Sequence, residues 1–141
     1  MKKEVLSLIG KSANPYIYAG HGCTLYREKF IFFIDFMQLP VLLSWRAIDL
    51  LPDYHLLNSG RPGMIGQPDA DDKLKEADLL LVLGARIDDG VTAFNIDNFA
   101  PKAVKVVVDI DKAELDRLPA DYFRVHQDVG EFMDELVEVV E

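Results

Sequence analysis

Residues suited to holding an anionic, hydroxyl-bearing ligand stand at the ends of two apolar runs in this chain. Leu79-Leu80-Leu81-Val82-Leu83 stops at Gly84-Ala85-Arg86. Glycine lets a ligand approach the backbone closely, and arginine offers a planar, permanently charged fork to a phosphate. Val104-Lys105-Val106-Val107-Val108 ends in Asp109-Ile110-Asp111, and carboxylates at a strand end suit ribose hydroxyls. The phosphate-side turn precedes the ribose-side acid by about 25 residues, which suits a nucleotide-binding half.

Other candidates each carry two readings. Gly20-His21-Gly22 matches the opening of the dinucleotide fingerprint, but its third glycine position holds Leu25. No acid follows the next strand either, where Ser44-Trp45 stands instead. Both departures argue against ordinary NAD binding. The turn is then either a ligand contact or a bend that needs small residues, and His21 either donates to a phosphate or has no role. Arg86 either meets a ligand or pairs at the surface with Asp88 or Asp89. Asp109 and Asp111 either face a ribose or cap the next helical segment. Gly60-Arg61-Pro62-Gly63-Met64-Ile65-Gly66-Gln67 either lets backbone pass close to a ligand or is a connector. Trp45 and Arg46 have the types of a stacking pair, although a Trp after a strand also suits a core or an interface. Cys23, the single cysteine, lies beside the glycine turn without any signature of a nucleophile. No Walker loop, G-x-S-x-G or H-E-x-x-H occurs, and His21, His55 and His126 lack metal-ligand spacing.

The elements that must position these residues alternate. Helical spacing covers 3–11, with Val5, Leu6, Leu8 and Ile9 apolar. A β-prone run, Tyr16 to Ala19, leads into the glycine turn. A helix is expected over 24–38, with Thr24 as its N-cap. Its Phe30, Ile31, Phe32, Phe33, Ile34, Phe36 and Met37 exceed what one surface stripe needs, so it is deeply buried or offers a face to a partner. Pro40 to Ser44 is the second strand. Residues 49–66 read as loop, with a short extended piece near Leu56-Leu57. Asp69 to Ala77 is a helix with an acidic start. The Leu79 strand follows, then a loop or irregular hairpin over 87–101. The Val104 strand, a helical turn over 113–118 and a strand over 123–126 come next. The terminal helix covers 127–141, with Phe132, Leu136, Val139 and Val140 on one side. Strands alternating with helices give a parallel sheet covered on both faces. The expected fold is α/β, three layers, doubly wound, with five to six strands in the order 3-2-1-4-5-6. Its switch point falls between the Tyr16 and Leu79 strands and brings the two glycine turns side by side.

The 141 residues, half of them apolar, suit a single domain over 1–141 with a real core. A formal charge of −9 disfavours nucleic acid and anionic membrane as partners. The apolar runs are too short to cross a bilayer. The start lacks a signal-peptide pattern, so a cytoplasmic location is expected.

Several segments, in this order, resemble the central domain of thiamine-diphosphate-dependent enzymes of the acetolactate synthase large-subunit type. They are Tyr18-Ala19-Gly20-His21-Gly22, Pro40 to Trp45, Asp49 to His55, Gly60 to Gln67, Ala77 to Thr92 and Val107 to Asp111. The run Gly84-Ala85-Arg86-Ile87-Asp88-Asp89-Gly90-Val91-Thr92 is the most specific part. The resemblance spans roughly 14–130.

The resemblance implies a Rossmann-like domain of the DHS-like NAD/FAD-binding type, set between two others. In the complete enzymes those others bind thiamine diphosphate and Mg²⁺, one supplying the activating glutamate and the other a Gly-Asp-Gly metal motif. Asp88-Asp89-Gly90 lacks the leading glycine of that motif. The chain is then a piece of such an enzyme, not catalytic on its own, or a free-standing nucleotide-binding or interaction module. In acetolactate synthases the central domain holds FAD in a mainly structural role. By motif position an FAD or adenine-nucleotide site would use Gly20, His21, Gly22, Ser44, Trp45, Met64, Ile65, Gly84, Ala85 and Arg86. Asp88, Val91, Asp109, Ile110 and Asp128 complete it. The chain departs from the FAD-binding members at His21, more often Gly there, and at the acidic Pro68-Asp69-Ala70-Asp71-Asp72. Flanking domains or a second copy of the chain are the expected partners, with a homo-oligomer the expected state.

Overall fold

The computed structural model describes residues 2–63, 66–92 and 95–140. Helix α1 (Lys2–Lys11) leads into strand β1 (Pro15–Ala19), a 3-10 segment (His21–Tyr26) and helix α2 (Arg27–Met37). Strand β2 (Val41–Leu43) and a long connection follow, then helix α3 (Pro68–Glu76), strand β3 (Leu79–Leu83) and the single turn α4 (Asp89–Thr92). Strand β4 (Val104–Asp109), helix α5 (Lys112–Asp116), strand β5 (Phe123–His126) and helix α6 (Val129–Val140) complete the chain.

The five strands are all parallel, in the order β2-β1-β3-β4-β5. Segment 57–60 lies along the outer edge of β2 and makes one parallel bridge, Asn58 to Val41. The Val41 N–H donates to Leu57 O (2.7 Å), the Ser59 N–H to Val41 O (2.7 Å) and the Leu43 N–H to Gly60 O (2.8 Å). Counted as the third strand, this segment gives the order 3-2-1-4-5-6. It stays rudimentary because Pro52, Gly60 and Pro62 flank it closely. The extended piece thus lies just after Leu56, whose side chain is exposed.

Alternation along the strands builds two cores. Ile17, Ala19, Leu79, Leu81, Leu83, Val106 and Val108 face the α1, α2 and α6 side, against Phe30, Phe33, Phe132 and Leu136. Tyr18, Leu80, Val82 and Val107 face the other side, against Ala70 and Leu74 of α3, Phe99, and Leu115 of α5. Both faces of the central strands are apolar, as a sheet covered on both sides requires.

Several expectations need correction. The helix expected over 24–38 is divided, with 3-10 geometry to Tyr26 and α-helix only from Arg27. Thr24 does not cap it; its hydroxyl donates to His21 O (2.6 Å) inside the 3-10 segment. The helix ends where Gln38 adopts a left-handed conformation (φ 55°), two residues before Pro40. Its surplus of apolar residues is divided between two faces. Phe30, Phe33 and Ile34 are fully buried, while Phe32 and Phe36 are exposed and stacked on each other, 5.8 Å between centroids. No hairpin forms among the described residues of 87–101, which instead hold α4 and a 3-10 turn (Ile96–Asn98). Asp128 stands outside the terminal helix as its cap, and Met133 rather than Val139 or Val140 completes the buried face.

Candidate functional site

The carboxyl ends of β1, β3 and β4 open into a cleft of about 680 Å³, a volume in the range of small-molecule sites. It lies at the switch point, where the chain leaves β1 and β3 in opposite directions. His21, Gly22, Ser44, Trp45, Gly84, Ala85, Arg86, Asp88, Val91, Asp109, Ile110 and Asp128 all line it. Gly20 does not line it, and Met64 and Ile65 lie outside the described residues. The reading of the sequence missed Tyr18, Leu25, Tyr26, Pro62 and Val129 as lining residues and weighed Arg46 only for stacking, whereas Asp111, read as a ribose contact or a cap, does line the cleft. Leu25 holds the position where a third fingerprint glycine would stand, and it is 81% exposed at the cleft.

The floor is made by two turns packed backbone to backbone. The Gly20 N–H donates to Leu83 O and the Gly22 N–H to Gly84 O, each at 3.0 Å. A Cβ on Gly20 would meet Ala85 Cα at 2.4 Å, and one on Gly22 would meet Gly84 Cα at 3.0 Å. Gly84 has φ +59°, a conformation glycine adopts without strain. Contact between turns therefore explains the glycines of the first turn, whose amides are already used. Moreover α2 begins only at Arg27, so no α-helix N-terminus follows this turn directly as in a dinucleotide fold. The second turn is different. The amides of Ala85 and Arg86 have no partner among the described residues, and the Arg86 side chain is 68% exposed.

The carboxylates around the cleft are mostly helix caps. Asp88 Oδ1 accepts from the Val91 N–H (3.2 Å), Asp111 Oδ1 from Ala113 N–H (3.0 Å) and Asp128 Oδ2 from Glu131 N–H (3.1 Å). In a parallel sheet the helices start at the carboxyl edge, so their caps gather there. Asp128 Oδ1 also accepts from the Tyr26 hydroxyl (2.8 Å), which raises that phenol above its ordinary range. Asp111 Oδ2 lies 3.4 Å from Arg86 Nη2, a surface pair with a partner other than the Asp88 expected, while the Asp89 side chain lies outside the described ones. Asp109 caps no helix. Its Oδ1 accepts from the Asp111 N–H (2.8 Å), while its Oδ2, like one oxygen of Asp88, has no hydrogen bond among the described residues. Burial raises its carboxyl, and the Asp111 amide and Arg86 partly offset this.

Trp45 is 47% exposed, so it is not a core residue, and its stacking partner is Arg61 (5.2 Å to the ring centroid) rather than Arg46. Cys23 is fully buried with its thiol donating to Leu83 O (3.3 Å), and burial pushes it up to about 12, which leaves no thiolate for nucleophilic chemistry. Among the described residues no group of His, Cys, Asp and Glu has the arrangement of a metal site. No described helix is long and apolar enough to cross a membrane. Among the described residues the cleft thus offers unpaired amides, the exposed guanidinium groups of Arg46 and Arg86, and a spare carboxylate oxygen on each of Asp88 and Asp109. That set suits a phosphate and a hydroxyl.

Residues 3–136 match the family described as thiamine pyrophosphate enzyme, central domain. The chain is 33% identical over 138 residues to the acetolactate synthase large subunit of Corynebacterium glutamicum, covering 96% of this chain and 22% of that protein. It is 32% identical over 139 residues to the acetolactate synthase isozyme 1 large subunit of Escherichia coli, covering 99% of this chain and 25% of that protein. Acetolactate synthase 1 of Zea mays, a chloroplastic protein, is 35% identical over 127 residues, covering 90% and 20%. The chain therefore spans about a fifth to a quarter of the length of these curated relatives. With its all-parallel sheet, its two glycine-floored turns and its likeness over nearly every residue, the chain belongs to the thiamine pyrophosphate enzyme family as a central domain.

Proposed function

We propose that this domain is the scaffold of an acetolactate synthase-like enzyme and holds an adenine nucleotide, FAD or a fragment of it, in the cleft at the switch point. The observation that carries the reading is the second turn: amides at Ala85 and Arg86 without a partner among the described residues, beside an exposed guanidinium, with Asp109 on the adjoining strand. The amides and Arg86 would take the phosphates, and Asp109 Oδ2 a ribose hydroxyl. Bound FAD would supply packing area here rather than a redox step. Thiamine diphosphate and Mg²⁺ would belong to other domains of the parent enzyme, whose reaction would join a pyruvate-derived two-carbon unit to a second 2-keto acid. The chain by itself would not catalyse that reaction. Flanking domains or a second copy would cover its exposed apolar residues, and the parent would work in the cytoplasm.

The test is to unfold the purified chain, identify any released small molecule by absorbance and mass, and titrate the emptied protein with FAD and ADP. Saturable binding of either is expected. No binding at millimolar nucleotide would overturn the nucleotide reading. The same preparation, supplied with pyruvate, thiamine diphosphate, Mg²⁺ and FAD, is expected to form no acetolactate; its formation would overturn the scaffold reading.

A further inference from the structure

The turn over 84–88 is gripped by one side of the short helix that follows β4. Asp111, Glu114 and Arg117 are spaced three apart, which places them on one helical side. Asp111 caps α5 and lies against Arg86. Glu114 is only 5% exposed, and its Oε1 accepts from the Ile87 N–H (3.3 Å). Arg117 closes the set: Nε to Glu114 Oε2 is 2.8 Å, Nη2 to Glu114 Oε1 is 2.6 Å and Nη2 to Ile87 O is 2.6 Å. Both backbone polar groups of Ile87 are thus held by a single ion pair, while the Ile87 side chain is buried in the core on the α3 and α5 side. Ile87 separates the two polar residues that the turn presents to the cleft, Arg86 and Asp88.

A chain that needed only to bury Ile87 could satisfy its backbone with water or a neighbouring strand. A charge pair buried on one side is an expensive substitute unless the position of the turn matters. We infer that Glu114 and Arg117 are positioning residues for the cleft: they fix the Ile87 backbone and so aim the Ala85 and Arg86 amides and the Arg86 guanidinium at a phosphate-bearing ligand. The ligand part of this inference rests on the nucleotide reading above; the positioning part does not.

Removing one partner alone would strand a buried charge and could unfold the chain. The variant to use is therefore the double substitution Glu114→Leu with Arg117→Leu, which removes both charges at similar volume. Two measurements apply to it: residue-resolved amide exchange, and titration with ADP. Exchange at Ile87 should quicken by about tenfold or more while the β3 amides keep their protection. ADP affinity should fall by about tenfold, the loss of a well-aimed charged contact. Asp78→Asn, a destabilising change at the opposite, amino end of the strands, should leave ADP affinity as in the wild type, which separates positioning from general stability. Unchanged exchange at Ile87, or equal quickening throughout β3, would overturn the positioning. Quickened exchange with unaltered ADP affinity would overturn its link to the ligand. A wild type that binds no ADP would overturn the nucleotide reading and the ligand part with it, and exchange would still decide the positioning.

Discussion

The two ends of the sheet solve the same problem in opposite ways. At the amino end, chain entering the strands is tied down by one side chain. Asp78 accepts from the Ser12 hydroxyl and from the amides of Ala13 (2.9 Å) and Asn14 (3.1 Å). Its own backbone donates to Asn14 O (3.2 Å) and accepts from the Val104 N–H (2.9 Å), so β1, β3 and β4 start from one knot. At the carboxyl end, backbone packs on backbone at Gly20, Gly22 and Gly84, and polar groups are left over. The amino end uses its polar groups for holding the sheet together. The carboxyl end leaves some of its own without a partner among the described residues, and helix starts converge there.

The largest expected effect comes where the carboxyl end is also structural. Gly20→Ala would place a methyl 2.4 Å from Ala85 Cα and 2.5 Å from Gly84 O, both backbone atoms. The turns must separate, at about 3 kcal/mol or more of stability, since overpacking against backbone has little relief. Urea unfolding should show that loss, together with failing nucleotide binding. A variant as stable as the wild type would mean the two turns are not the floor of the cleft. Arg86→Ala should divide the two ends cleanly. Its ion pair with Asp111 is exposed and contributes little to folding. Nucleotide affinity should nevertheless drop by about 1.5–3 kcal/mol if a charged hydrogen bond is lost. An unchanged dissociation constant would remove Arg86 from the site.

Asp78→Asn is the converse test, stability without binding. Three donors converge on this carboxylate and hold it below the ordinary carboxyl range, the Ser12 hydroxyl most of all. A carboxyl lowered in the folded chain contributes stability above its unfolded value, and that contribution is lost as pH falls through the folded one. The variant should therefore unfold at lower urea than the wild type at pH 7. The gap should hold down to about pH 4, the unfolded aspartate value, and close in more acid solution. A gap independent of pH would show that the carboxylate charge does not make the knot.

The legible parts of this molecule are those set by period and punctuation. The apolar run 79–83 followed by glycine specified a buried parallel strand and the turn that follows it, and Pro40 with the apolar 41–43 did the same for β2. The sites of caps were legible only as alternatives. Asp111 reads equally as a ribose contact or an N-cap, and the structure shows the cap. Long-range polar partners were not legible at all. Nothing local joins Ile87 to Glu114 and Arg117 across about thirty residues, although the three-residue spacing of Asp111, Glu114 and Arg117 marked one side of a helix with something to hold. The start of α2 is not legible, because Thr24 is an ordinary N-cap type, yet a 3-10 segment with Gly22 packed on Gly84 comes first.

The smallest effect on folding, and the one that concerns neither end of the sheet, belongs to the outer side of α2. Phe32 is 57% exposed and Phe36 38%, and their rings lie 18° from parallel. Beneath them the helix is already anchored by Phe30, Phe33 and Ile34, which are fully buried, so the outer pair is not needed for the core. Truncating it should change stability by only about 0.5 kcal/mol, as at other exposed positions. Yet a stacked aromatic pair is a compact apolar patch, and its burial between two copies can work against the repulsion of a net charge of −9. The chain alone should self-associate at roughly tens of micromolar, a modest affinity for a small patch. The double substitution Phe32→Ser with Phe36→Ser should abolish that association while leaving the urea midpoint and nucleotide binding in place. Salt should strengthen the wild-type association by screening the like charges. Sedimentation equilibrium decides the matter. A monomer throughout this range would show that the pair does not join two copies of the domain, and loss of nucleotide binding in the variant would show that the cleft and this helix are not independent.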